Sequence, residues 1–325
     1  MNQLAETPET IKDVAVIGLG PAGIAASLAL AEQNVHVVAY EEGLIGGQVN
    51  LTADIDNYPG YSGPTEGLNV RFAADIQRLQ DSGMLELVKS SVKSLTRDGD
   101  TFIVDASRPK KSIVSRFKAV IVASGTKYRP YEVPDTSGTV GERGFSRCAI
   151  CDGPFYKGKD VMVVGGGESA FQEATYLASI CRTVTLINRR TIFRASIRDV
   201  EAFRKLSNTR IIAPAVTVSC SGNGKLEHVV IKDPNDPTDS SLQTLDVEAC
   251  FIYIGQDAAS QFVHIPEARE PNGCLKINPD MSVPGISGLF AAGDVIDTPL
   301  RQVATAVGYG SIAGLSAARY LKREG

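Results

Sequence analysis

The sequence lacks any long apolar run. Stretches such as Ala119–Ala123 fall far short of the ~20 residues needed to span a bilayer, which argues against a membrane-crossing helix. Histidine is scarce, with only His36, His228 and His264. Close cysteine pairs are scarcer: Cys148 and Cys151 form the single CxxC, while Cys181, Cys220, Cys250 and Cys274 are scattered. Scattered free cysteines read as small buried hydrophobes. Without a second CxxC or well-placed histidines, a zinc site is disfavoured and no metal is expected. A strong charge bias is missing too. The net charge of -4 argues against nucleic acid as a partner and fits a protein that meets other soluble proteins. Nor is there an apolar leader, since Met1–Lys12 is polar and acidic. The expectation is a cytoplasmic location with no membrane attachment, where a CxxC is more often catalytic than structural.

Against these absences stands ordinary globular material, 43% hydrophobic and 22% charged over 325 residues, enough for about two domains. Asp13–Ile17 reads as a strand, Gly18–Gly23 as a glycine turn, Ile24–Glu32 as a helix and Val35–Tyr40 as a strand ending at Glu41. The pattern recurs: strand Asp160–Val164, turn Gly165–Ala170, helix Phe171–Ala178 and strand Thr183–Ile187, ending at Asn188-Arg189-Arg190. The interval from Gly18 to Glu41 equals that from Gly165 to Asn188. Two fingerprints in one register indicate two copies of one fold unit. Short strands at Leu85–Lys89, Thr101–Asp105 and Ile113–Val122 suggest a β-meander in the first unit. A second meander, turning at Asp233–Pro237, follows the second fingerprint.

The predicted fold class is α/β, with two Rossmann-like, three-layer βαβ nucleotide-binding domains. Linkers are expected at Tyr128–Pro134 and Gly255–Ala258. The segment from Ile277 to Gly325 has no fingerprint of its own and is expected to fold back onto the first domain. The expected division is 1–128 with 257–325 for the first domain, discontinuous, and 129–256 for an inserted second domain carrying the CxxC. Two chain crossings make a natural hinge.

In the first fingerprint Gly18 permits the tight turn, Gly20 lets backbone approach a pyrophosphate, and Gly23 lets helix pack on strand. The helix N-terminus then faces the anion. Glu41 suits ribose hydroxyls and repels a 2′-phosphate, so this site takes FAD or NAD. In the second, Gly165, Gly167 and Ala170 fill the three roles. Asn188 replaces the acid, and Arg189, Arg190 and Arg194 follow. Guanidinium groups suit phosphate oxygens, which points to NADPH. The alternatives are a structural glycine turn and a solvated basic strand end. For the CxxC, the readings are zinc, a structural disulfide and redox catalysis. Redox catalysis fits best, because two thiols at this spacing close a reducible disulfide. Asp152 directly follows, either as a proton donor and acceptor or as a simple cap.

These residues resemble the low-molecular-weight thioredoxin reductases over nearly the whole chain. The matching segments are Gly18–Gly23 (with Pro21 and Ala22), Gly46-Gly47-Gln48, Asn57-Tyr58-Pro59-Gly60, Ala123-Ser124-Gly125, Cys148–Gly153, Gly165–Ala170, Arg189–Arg194, Gly293-Asp294 and Arg301-Gln302-Val303. The CxxC-Asp-Gly element before the second fingerprint separates this family from the larger glutathione-reductase type, whose redox cysteines lie in the first domain. The resemblance implies FAD in the first domain, NADPH in the second, thioredoxin as protein substrate and a homodimer. It implies hydride transfer from NADPH to FAD, then reduction of the Cys148–Cys151 disulfide, then exchange with thioredoxin as the NADPH domain rotates.

By the same resemblance, Cys151 is the flavin-proximal sulfur, Cys148 attacks thioredoxin and Asp152 is the acid/base. Gly46, Gly47, Gln48 and Asn57 line the flavin, with Ala123, Ser124, Gly125 and Arg301 in matched cofactor segments. Asp294, beside Gly293 of the matched segment, binds the ribityl chain; Gln302 and Val303 lie near the ring. Glu168 and Ser169 belong to the pyrophosphate turn of NADPH. Four positions depart from the family pattern: Asn188 for histidine, Glu168 for Asp or Asn, Ser124 for threonine, and Gln256-Asp257-Ala258 without the usual proline. Two rivals remain. One is an FAD-dependent dithiol oxidase of the same fold, which the arginines disfavour. The other is a nucleotide-sensing module without turnover, which the intact CxxC-Asp disfavours.

Overall fold

The computed structural model describes residues 10–51, 54–108 and 111–324. Among the described residues are six α-helices: α1 (Pro21–Glu32), α2 (Thr65–Asp81), α3 (Ala149–Asp152), α4 (Glu168–Ile180), α5 (Ile197–Arg204) and α6 (Val303–Glu324). None is long and apolar enough to cross a membrane. The chain packs as two compact units, Met1–Lys127 with Asp257–Gly325, and Tyr128–Gln256. Tyr128, expected at the end of the first domain, belongs to the second unit. A backbone bond closes each unit beside the crossing. Ala259 N–H donates to the Gly125 carbonyl in the first (2.9 Å), and Arg129 N–H to the Gly255 carbonyl in the second (3.1 Å).

The first unit is built on a seven-stranded sheet. Its parallel part runs Leu85–Val88, Val37–Tyr40, Lys12–Ile17, Val114–Val122 and Leu289–Ala291. Thr101–Asp105 and Ser94–Asp98 extend it antiparallel from the early half of Val114–Val122. The expected meander therefore needs correcting. Leu85–Val88 is the parallel edge of the main sheet, because α2 carries the chain back alongside Val37–Tyr40. Ser94–Asp98 takes the outer meander place instead. Helix α2 buries Leu68, Phe72, Ile76 and Leu79, one stripe at helical spacing, and turns Arg71, Gln77 and Arg78 outward. Helices α1 and α6 meet backbone to backbone: a Cβ on Gly310 would lie 2.1 Å from the Ala22 carbonyl oxygen. That contact brings the start of α6 to the first fingerprint, so the last segment does fold onto the first unit.

The second unit has a five-stranded parallel sheet in the order Phe145–Ser146, Ala249–Tyr253, Asp160–Gly165, Thr183–Ile187 and Thr209–Ile212. The three central strands, Ala249–Tyr253, Asp160–Gly165 and Thr183–Ile187, are buried on both faces, and alternate side chains enter different cores. Val161, Val163, Val184, Leu186 and Phe251 pack with Phe171 and Leu177 of α4 and Phe203 of α5. Met162, Val164, Cys250 and Ile252 pack instead with Val229, Ile231 and Leu245. These last belong to an antiparallel sheet of Val216–Ser221, His228–Lys232 and Gln243–Asp246. Helices, parallel sheet and antiparallel sheet thus form three layers, with Phe171 edge-on to Phe203 at 5.8 Å. Each fully buried phenylalanine contributes about 1.5–3 kcal/mol by leaving water.

Candidate functional site

The first fingerprint begins where the strand Lys12–Ile17 ends. Gly18 has φ +96°, and a Cβ there would lie 2.5 Å from the Ala123 carbonyl oxygen, so only glycine fits. Pro21 opens α1 and Gly20 caps it with no side chain. The helix therefore presents its first N–H groups without a side-chain acceptor, the state in which a helix N-terminus receives an anion. Glu41 is drawn onto this turn: Oε2 accepts the Leu19 N–H (2.8 Å) and Oε1 the Gly43 N–H (2.7 Å). Each carboxylate oxygen keeps a lone pair for a ribose hydroxyl.

Further residues of the first unit gather on this turn. A Cβ on Gly47 would sit 3.0 Å from Gly20 Cα, so the Gly46-Gly47-Gln48 loop lies directly against the fingerprint. Gln48 Nε2 donates to Thr126 Oγ1 (2.7 Å) and to the Thr126 carbonyl (3.1 Å). Ser124 Oγ donates to the Ala259 carbonyl at 2.8 Å. Gly293 comes within 2.8 Å, by its absent Cβ, of Ala22 Cβ, which sets Asp294 near the start of α1. Burial pushes the Asp294 carboxyl up from its usual range, and Arg301 opposes the shift. The Gln302 N–H donates to Thr305 Oγ1 (3.2 Å) and its carbonyl accepts from Ala306 (3.0 Å), fixing Gln302 and Val303 at the start of α6. Asn57 is exposed on the strand Asp54–Tyr58.

The second fingerprint repeats this logic. Gly167 caps α4 without a side chain, and Glu168 and Ser169 are exposed in its first turn. The arginine loop folds back onto the turn, since Arg194 N–H and Ala195 N–H both donate to the Gly166 carbonyl (2.7 and 3.2 Å). Asn188 shapes that loop from within: its Nδ2 donates to the Arg190 carbonyl at 2.5 Å, and its side chain packs on Gly166. Arg189, Arg190 and Arg194 are exposed, and Arg194 Nη2 lies 3.9 Å from where a Gly167 Cβ would be. The Arg194 guanidinium and the uncapped start of α4 thus face one region.

In the same unit Cys148 and Cys151 are joined as a disulfide, with Cα atoms 5.4 Å apart. Cys148 is the N-cap of α3 and its Sγ accepts the Cys151 N–H at 3.2 Å. Cys151 is exposed and Cys148 half-buried. Asp152 is oriented by Ser146, whose Oγ donates to Oδ2 at 2.6 Å and accepts the Cys148 N–H at 3.1 Å. Tyr253 Oη accepts the Ala149 N–H at 3.0 Å, anchoring the short helix to the sheet. Burial first, and the Glu173 carboxylate next, push the Tyr253 phenol far above its usual range, so it stays neutral. This arrangement can hold a disulfide, receive two electrons and keep a carboxyl group ready for the thiol proton.

Ser146, Tyr253, Thr126 and Phe155 are absent from the sequence reading. Ser146, Tyr253 and Thr126 leave no spacing signal, because each acts through a contact distant in chain or set by a turn. Phe155 does leave one, an aromatic residue in the polar segment after Cys151, and it is 80% exposed.

The family model described as pyridine nucleotide-disulphide oxidoreductase matches residues 12–310. A thioredoxin reductase of Bacillus subtilis is 35% identical over 318 residues, covering 97% of this chain and 96% of the relative. A bifunctional thioredoxin reductase/thioredoxin of Mycobacterium leprae is 32% identical over 331 residues, covering 99% of this chain and 68% of the relative. The crystal structure of Lactococcus lactis thioredoxin reductase aligns with a TM-score of 0.86 at 31% identity, covering 96% of this chain and 99% of that one. With matches of this extent, and a dithiol pair between two nucleotide fingerprints, the chain belongs to the pyridine nucleotide-disulphide oxidoreductase family, among the thioredoxin reductases.

Proposed function

We propose that the chain is an FAD-dependent enzyme that uses NADPH to reduce the disulfide of thioredoxin, with Cys148–Cys151 as the intermediate carrier. NADPH, one proton and thioredoxin disulfide yield NADP⁺ and thioredoxin dithiol. The observation that carries this reading is the Cys148–Cys151 disulfide in the unit whose fingerprint helix α4 lacks a side-chain cap and has Arg194 of the exposed arginine loop against its first turn.

The first unit, Met1–Lys127 with Asp257–Gly325, would be the FAD-binding domain. The uncapped start of α1 suits the pyrophosphate, with Gly18, Gly20, Pro21, Ala22 and Gly23 forming the turn. Glu41 would accept from ribose hydroxyls. Gly46, Gly47, Gln48, Asn57, Ala123, Ser124 and Gly125 would line the flavin side, Asp294 beside Gly293 would bind the ribityl chain, and Gln302 and Val303, after Arg301, would lie near the ring. When bound, FAD supplies a two-electron carrier between a nicotinamide and a disulfide. The second unit would be the NADPH-binding domain. Gly165, Gly167, Glu168, Ser169 and Ala170 would cradle its pyrophosphate, while Arg189, Arg190 and Arg194 would hold the 2′-phosphate on a loop shaped by Asn188.

In the reduced pair, Cys148 attacks the thioredoxin disulfide and forms a mixed disulfide. Cys151 then displaces it, closing Cys148–Cys151 and releasing the second thioredoxin thiol. Asp152 holds or gives the proton that moves with the thiols. Exposed Phe155 offers apolar surface to a protein partner beside the dithiol. The M. leprae relative, whose name joins reductase and thioredoxin, supports that choice of partner. A homodimer and a cytoplasmic location complete the reading. The four cysteines outside the dithiol are all free thiols, in keeping with a reducing compartment.

The test is steady-state disulfide reduction by the purified protein with NADPH and then NADH, with and without thioredoxin. Thioredoxin-dependent turnover that prefers NADPH is expected. A preference for NADH overturns the assignment of the arginines. No bleaching of bound flavin by anaerobic NADPH overturns the reductase.

A further inference from the structure

We propose that Asn69 is a positioning residue for FAD, acting through Asn50 on the Gly46-Gly47-Gln48 loop. The inference rests on reading the first unit as the flavin site. The loop is conformationally demanding: Gly46 has φ +101° and Gly47 φ +57°, both left-handed. Asn50 locks it from the C-terminal side. Its Nδ2 donates to the Ile45 carbonyl (3.1 Å) and to the Gly47 carbonyl (2.9 Å), bridging the two left-handed residues. Both donor hydrogens are thereby used, and the amide is held by one further bond. Asn69 Nδ2, on α2, donates to Asn50 Oδ1 at 2.9 Å.

The remaining atom of Asn69 argues against mere packing. Among the described residues, its Oδ1 is a buried acceptor with no hydrogen-bond partner. It faces the loop so closely that a Cβ on Gly46 would lie 2.4 Å away. An orphan acceptor costs stability that an apolar side chain of similar size would not. The position thus keeps a donor for Asn50 at a cost, and that donor's one effect is to orient the amide that bridges the loop. The loop in turn lies against Gly20 of the fingerprint and reaches Thr126 through Gln48. Its shape therefore bears on the fingerprint turn and on the Gln48–Thr126 side of the site, and helix α2, which sequence motifs do not connect to nucleotide binding, becomes part of the site.

The experiment is FAD binding to apoprotein, followed by flavin fluorescence, for wild type, Asn50→Ala, Asn69→Leu and the double variant, with thermal unfolding of each apoprotein alongside. Loss of one hydrogen bond predicts FAD affinity roughly 3- to 10-fold weaker in Asn69→Leu, with faster FAD release. The double variant should be no weaker than Asn50→Ala alone, because Asn69 acts only through Asn50. Apoprotein unfolding should change little in Asn69→Leu, since the buried orphan acceptor is removed together with the hydrogen bond to Asn50. Wild-type affinity in Asn69→Leu, or additive losses in the double variant, overturns the role of Asn69 while leaving the flavin site intact. Failure of the wild-type apoprotein to bind FAD overturns the flavin reading itself. If Asn69→Leu does not fold, Asn69→Asp, nearly the same size but without the donor, is measured under the same criteria.

Discussion

Ser146 and Asp152 are bonded across the dithiol turn, Oγ to Oδ2 at 2.6 Å, while the same Oγ receives the Cys148 N–H. The serine thus fixes the carboxyl relative to the cysteine whose proton it would handle. Acid–base groups contribute about 10²–10⁴-fold to rate. Asp152→Asn should therefore lower thioredoxin turnover by about 100-fold or more. Ser146→Ala leaves the carboxyl in place but unoriented, and should cost less than about 10-fold. Anaerobic bleaching of the flavin by NADPH should be unchanged in both. Equal loss of flavin bleaching and thioredoxin turnover would place Asp152 outside the exchange step.

The arginine loop gives a second prediction, one that separates coenzymes. Arg189, Arg190 and Arg194 are exposed, so each is free to meet a 2′-phosphate in water-accessible geometry. A charge-assisted bond is worth roughly 1.5–3 kcal/mol. Replacing any one by alanine should weaken NADPH binding about 10- to 100-fold and leave NADH binding nearly unchanged. Asn188→Ala should weaken NADPH less, because Asn188 acts on the loop through the Arg190 carbonyl. Dissociation constants for both coenzymes check this directly. Parallel losses for NADPH and NADH would mean that the arginines do not discriminate.

Much of this was legible in the sequence because fingerprint turns obey local rules. Gly18, Glu41, Gly165 and Asn188 mark strand ends whatever surrounds them, and the structure puts each at such a turn. The return of the last segment was legible as well, since 277–325 has no fingerprint of its own. The meander was misread at Leu85–Lys89. Short strands carry little period, and what makes this one parallel is α2, whose stripe Leu68, Phe72, Ile76, Leu79 precedes it. Contacts such as Ser146 to Asp152, Tyr253 to Ala149 and Asn69 to Asn50 have no pattern to read. They exist only once strands and helices are stacked.

Phe155 supports a third prediction. An aromatic side chain 80% exposed, three residues past Asp152, is surface that the fold does not use for its own core. Docking of a protein partner there would bury it, and burying a phenylalanine is worth about 1.5–3 kcal/mol. Phe155→Ser should raise KM for thioredoxin about 10-fold or more, with kcat and flavin bleaching by NADPH little changed. An unaltered KM would move the docking surface away from this turn.

Burial divides the six cysteines into two reactive and four inert. Desolvation pushes the Cys181 thiol up to about 11 and that of Cys250 up to about 12, and it raises Cys220 and Cys274 as well. A thiolate is the reacting species, so raised and buried thiols should resist alkylation. After reduction, iodoacetamide at pH 8 should label Cys148 and Cys151 alone, and all six positions once the chain is unfolded. The shifts also set a pH dependence. The unfolded chain ionises these thiols near about 8.5, whereas the folded chain keeps them neutral to higher pH. Their contribution to stability is therefore complete below about pH 8.5 and is lost as pH rises toward the folded values. The urea midpoint should fall between pH 8 and pH 10.5, and fall less in Cys250→Ala, which removes one of the shifted groups. Rapid labelling of Cys250 in the folded protein, measured by mass spectrometry, would contradict its burial.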